Sequence, residues 1–133
     1  MRRMLAVLSV TAGVASCTPT DPKATFQDQA TCYELVKKEF EKRAKPDSNV
    51  TSSIESNATG NGVCYGLFRG KAWNGESLLL INGLTGEDLA EVFTYSQVQY
   101  ATAGRRAENG QWEKMDDQHQ QIEAFINEKM AEK

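Results

Sequence analysis

Asp116, His119 and Glu123 are spaced three and four residues apart, so on a helix their side chains fall on neighbouring rows of one face. Histidine is the commonest metal ligand, and one imidazole with two carboxylates could supply part of a metal site. A closed site wants about four ligands, and His119 is the chain's one histidine. The plainer account puts His119 on the border of an apolar stripe, satisfied by a nearby acceptor, with both acids in solvent. On that account the chain carries no metal and no cofactor. Nucleophilic catalysis meets the same limit: His119 is the one imidazole base, and no Gly-x-Ser-x-Gly turn accompanies it. No catalytic residue is assigned.

The remaining groups are weaker candidates. Glu87-Asp88 and Asp116-Asp117 are adjacent acids, which do not share a helix face, and the first pair follows Thr85-Gly86 where a helix start would attract negative charge. Gly83-Leu84-Thr85-Gly86 resembles a phosphate-cradling loop only loosely, because no Gly-Lys-Ser/Thr follows. Arg105 and Arg106 could form a small anion-binding patch if the fold brought Arg69 and Lys71 beside them. Trp73, in a glycine-rich connection, is a candidate aromatic anchor of the kind enriched at binding hot spots. Trp73, Arg105 and Arg106 together make the expected binding surface.

The N-terminus carries an address. Arg2 and Arg3 precede an apolar run from Leu5 to Ala15, the layout of a secretory signal peptide. The run is far short of the roughly 18–20 residues of a membrane-spanning helix. Val14-Ala15-Ser16-Cys17 resembles the lipobox of bacterial lipoproteins, with Val14 where leucine is usual. The resemblance covers about the first eighteen residues. It implies lipidation and acylation of Cys17 after removal of residues 1–16, hence a membrane contact through lipid. Thr18 in place of aspartate further implies the outer membrane, with the domain facing the periplasm. The alternative is cleavage after Ala15, giving a secreted or soluble periplasmic protein. Lipidation of Cys17 also leaves Cys32 and Cys64 as one pair, in a compartment where disulfides persist.

Without residues 1–16 the 15 basic side chains fall to 13 against 18 acidic ones, a formal charge of −5. No basic stripe for phosphates is present, so nucleic acid is not the expected partner. The functional expectation is a non-enzymatic, membrane-anchored envelope lipoprotein that binds a protein partner, as a complex subunit, an inhibitor or immunity factor, or an exclusion factor. The alternative is a small-ligand carrier or small hydrolase with a pocket between sheet and helices.

These side chains need elements to position them. Residues 17–30 are rich in proline and polar groups and read as a tether, leaving 31–133 as one small domain. Thr25-Phe26-Gln27-Asp28 fits a capping pattern, and Cys32, Leu35, Val36 and Phe40 follow at helical spacing up to Pro46. Val50 to Ile54 alternates weakly, as an edge strand would. Val63 to Phe68 predicts a strand with Cys64, Gly66 and Phe68 on one face and Val63, Tyr65 and Leu67 on the other. Leu78 to Ile81 predicts a strand buried on both faces. From Thr85, the spacing of Leu89, Val92, Phe93, Ser96 and Tyr100 predicts a helix over 86–103, against a strand-favouring composition. Trp112, Met115, His119, Ile122 and Ile126 predict an amphipathic C-terminal helix. The expected fold is α+β: an N-terminal helix, an antiparallel sheet of two or three strands, and a helical C-terminal part on one sheet face. Cys32 on the helix stripe and Cys64 on a strand face are expected to be bonded.

Overall fold

The computed structural model describes residues 23–44, 50–97 and 100–133. The leader and Cys17 lie outside the described residues. Helix α1 spans Phe26–Arg43, and the expected capping box is formed. The Thr25 hydroxyl accepts the Asp28 N–H at 3.1 Å and the Asp28 carboxylate accepts the Thr25 N–H at 2.8 Å. Those bonds hold the Asp28 carboxyl below its usual range. The helix thus begins inside the stretch read as a tether.

Six strands follow: β1 Thr51–Ala58, β2 Cys64–Ala72, β3 Gly75–Asn82, β4 Asp88–Tyr95, β5 Ala101–Arg106 and β6 Trp112–Lys114. They form one antiparallel sheet in the order of the chain. A 3-10 turn at Asp116–Gln118 leads into helix α2, His119–Ala131. The expectation of two or three strands is therefore wrong. The stretch expected to be a helix over 86–103 instead supplies strands β4 and β5, and the C-terminal helix starts at His119 rather than Trp112. Gly86 has φ +75°, and the Thr85 hydroxyl accepts the Glu87 N–H two residues on, a turn in place of a helix cap. Once β3 presents an unpaired edge, strand pairing satisfies the backbone of β4, and its β-branched and aromatic residues suit that pairing.

Nor do the helices share a face. Cys64 and Phe68 of β2 and Ile81 of β3 pack with Cys32 and Val36 of α1. Tyr65 and Leu67, Leu80, Ala90, Val92 and Ala103 pack with Ile122 and Ile126 of α2 on the other side. The alternation expected for β2 is present, and β3 is apolar on both faces because each face has its own helix. Gly66 permits the first packing: a Cβ there would lie 2.7 Å from Val36. The Cys32–Cys64 disulfide is formed, with the Cα atoms 5.5 Å apart, and it ties α1 to β2. At the far end of α2, the Asn57 amide donates to the main-chain oxygens of Lys129 (3.1 Å) and Glu132 (2.7 Å), satisfying carbonyls that the helix leaves open. Tyr65 lies beneath this end, and burial, with Glu132 close by, pushes its phenol above the usual value.

Candidate functional site

The three residues of the metal reading do not assemble. Asp116 precedes α2, where its carboxylate accepts the Ala103 N–H at 3.0 Å and pairs with Lys114 at 3.3 Å. The Ala103 bond first, and Lys114 second, hold that carboxyl below its usual range. His119 Nδ1 lies 3.3 Å from the Asp116 main-chain oxygen, so in the tautomer protonated there it donates to a carbonyl. Glu123 is exposed one turn further on. Among the described residues, no group of three His, Cys, Asp or Glu could hold a metal ion. His119 instead borders a cleft of about 600 Å³ between α2 and the ends of β4 and β5, with Thr94, Ala101 and Gln120 on its wall. Replacing His119 by Gln removes one neutral hydrogen bond in a half-buried position. The expected loss is about 1 kcal/mol of stability with binding unchanged. Thermal melts beside a binding assay check this, and lost binding at an unchanged melting temperature would make His119 a functional group.

Trp73, Arg105 and Arg106 are not brought together. Trp73 lies in the turn between β2 and β3, whereas Arg105 and Arg106 end β5 at the opposite end of the sheet. Arg106 is occupied by the fold. Its side chain pairs with Glu87, donates to the main-chain oxygens of Asp88 (2.9 Å) and Gly110 (2.8 Å), and lies over the Trp112 ring. Arg105 faces Glu113 at 3.9 Å. Arg69 and Lys71 sit three strands away and pair with Glu55 and Glu76. No anion patch forms from these four cations.

The structure places an aromatic surface elsewhere. On the α1 side of the sheet, α1 packs on β1 and β2, with Leu79 and Ile81 of β3 at its margin. Over β4–β6 this face carries Glu91, Phe93 and Tyr95, then Thr102 and Gly104, then Trp112 and Lys114, by alternation and register. Tyr100 joins the row opposite Tyr95, whose N–H it accepts at 3.1 Å. Phe93 and Tyr95 meet edge to face at 4.6 Å between ring centres, and Tyr95 and Tyr100 lie 5.6 Å apart. Trp112 lies flat on Gly104, where a Cβ would come 2.5 Å from the indole nitrogen. Tyr100 and Trp112 are 51% and 41% exposed, and Trp73, at the same end as Tyr100, is 78% exposed. Ser96 holds that end together by donating to the main-chain oxygens of Trp73 and Asn74. Of these rings the sequence reading singled out only Trp73, in the adjoining β2–β3 turn, and put Phe93, Tyr100 and Trp112 on helical stripes. Chemically, it is a rigid platform of large rings with polar tips, flanked by Glu91 and Lys114, suited to burying a partner's apolar surface.

No protein-family model, no curated protein and no solved structure matches the chain.

Proposed function

We propose that the chain is a lipid-anchored envelope protein that binds a protein partner, without chemistry of its own, through the aromatic half-face of its sheet. The observation that carries the binding half is the row of half-buried Phe93 and Tyr95 with exposed Tyr100, and exposed Trp112 at the other end of the same face, which among the described residues α1 leaves open. Partly exposed rings held rigid by a sheet lose little side-chain entropy on binding, and tyrosine and tryptophan are enriched among the residues that dominate interface energy. The anchoring half rests on Arg2-Arg3, the apolar run and Val14-Ala15-Ser16-Cys17. A lipid on Cys17 would hold the domain at the outer membrane facing the periplasm. No described helix is long and apolar enough to cross a membrane.

Two measurements on the full chain in its own envelope test the halves separately. Cys17→Ser is expected to leave unprocessed precursor or to release the domain from the membrane fraction; a wild type that fractionates as soluble, without acyl mass, overturns the anchor. A photo-crosslinking residue in place of Tyr100 is expected to trap one discrete protein. The same residue in place of Glu123, exposed on α2 across the sheet, is expected to trap none. Equal labelling at both positions, or none at Tyr100, overturns the binding face.

A further inference from the structure

We infer that β1 is an interface strand, pairing antiparallel with β1 of a second copy of this chain about Ile54. Edge strands carry unpaired backbone groups, and natural edges are usually blunted by charged side chains, lysine above all, by proline or by bulges. β1, Thr-Ser-Ser-Ile-Glu-Ser-Asn-Ala, has no lysine and no proline, its one charge, Glu55, is paired with Arg69, and its register with β2 runs unbroken over all eight residues. The direction of its backbone groups follows from the hairpin. The Thr59 N–H donates to Val63 O across the turn, so Ala58, the next residue, points its N–H and C=O outward. The Gln29 side chain meets both of them, at 2.9 and 2.8 Å. By alternation Ser56, Ile54 and Ser52 also point outward, and among the described residues nothing bonds to their backbone groups.

One end of the edge is therefore closed by Gln29, and among the described residues the stretch 52–56 is open. Its residues select a second copy over an arbitrary peptide. Centred on Ile54, antiparallel pairing sets Ile54 against Ile54 and Ser52 against Ser56 of the second copy, each pair exchanging two N–H···O bonds. Ile54 packs at the margin of the α1 core, so its twin would extend that apolar cluster. On the other face, Glu55 comes opposite Ser53 of the second copy. Ser53 neighbours Arg69 across the β1–β2 ladder. Each Glu55 then lies in one row with the other copy's Arg69, besides its own at 3.4 Å. A two-fold axis through this pairing puts both α1 helices on the same side. Gln29 reaches the β1 edge and Tyr33, one turn later on the same flank, is 41% exposed, which offers the second copy a ring to cover. This surface is separate from the aromatic half-face, which the pairing leaves open.

The test uses the full chain. Purified in detergent, it is expected to sediment at twice its own mass. Ser52→Pro, which deletes an outward donor and no bond of the β1–β2 ladder, is expected to leave it monomeric with an unchanged far-UV spectrum. Should that variant misfold, the register can be read directly. A hydrogen-bonded antiparallel pair sets Cα atoms about 5.5 Å apart, within disulfide range. Ile54→Cys is therefore expected to form a covalent dimer in the membrane, and Ser52→Cys, which meets Ser56, is not. A monomer at all loadings, equal cross-linking at both positions, or cross-linking of Ile54→Cys to a species of another mass overturns the inference.

Discussion

Cys32→Ala/Cys64→Ala is expected to lower the melting temperature of the domain by roughly 15–30 °C. The bond joins residues 32 apart in sequence, and closing a loop of that length restricts the unfolded chain by on the order of 3.5–4 kcal/mol. A domain of this size has about 5–15 kcal/mol in total, and each kcal/mol moves its midpoint by about 4–8 °C. The native state adds its own reason. α1 is attached to the sheet by a small cluster, Cys32 and Val36 against Cys64, Phe68 and Ile81, with Phe40 edge-on to Phe68. Arg43 supplements it by pairing with Glu39 at 2.9 Å and Asp88 at 2.6 Å, but those partners are partly exposed and such pairs contribute about 1 kcal/mol or less. Gly83 tests the same spot from the other side, since a Cβ there would lie 2.5 Å from Cys64 Sγ. Calorimetry of the double variant decides the point, and a midpoint within a few degrees of wild type would sink it.

The first half of the fold was readable because its local signals agree with its tertiary ones. Thr25 and Asp28 make the cap their types predict, and Cys32, Val36 and Phe40 present the stripe that meets the sheet. Leu78 to Ile81 is apolar at every position because β3 is covered on both sides. The second half misled for the same physical cause. Val92 points to the α2 core while Phe93 and Tyr95 point to the open face, so apolar residues fall on both parities and mimic a helical spacing. The bulge that skips Leu89 between Ala90 and Asp88 breaks the alternation further. Trp112 and Met115 looked like one stripe with Ile122 and Ile126, yet Trp112 lies on the open face and Met115 packs with α2. A spacing of three or four carries no sign of a strand-to-helix boundary within it.

The candidate face was hidden by that error. Glu91, Phe93 and Tyr95 alternate at period two, as do Tyr100, Thr102 and Gly104, and a strand reading would have placed all six on one surface. Trp73 was legible alone because a tryptophan in a polar, glycine-flanked turn has little to bury against. The cations were not legible at all. Whether Arg106 is a ligand group or a brace depends on Glu87 and Gly110 arriving beside it, which only the sheet order decides.

Ile126→Ala is expected to cost about 2–5 kcal/mol and to melt both helices together. Ile126 is fully buried, in a cluster with Tyr65, Leu67, Leu80, Ala90, Val92, Ala103 and Ile122. Truncating such a side chain loses its transfer energy and leaves a cavity that a six-stranded sheet cannot collapse to fill. No covalent bond holds α2 as the disulfide holds α1. Its attachments are this apolar stripe, partly buried Phe125 and Met130, and the Asn57 amide at its last turn. Losing α2 would strip one entire face of β2–β5, and the α1 core lies on the reverse of the same strands. Leu67 and Phe68 are consecutive residues serving opposite cores. The two cores therefore stand or fall as one, and unfolding should be a single transition. Urea titration followed by far-UV circular dichroism and by the fluorescence of Trp73 and Trp112 should give coincident curves for wild type and variant. Ile126→Val, which removes one methyl group, should cost only about 0.5–1.5 kcal/mol. Separated curves in the Ile126→Ala chain, with tryptophan emission native after helical signal is lost, would show that the sheet and α1 survive without α2.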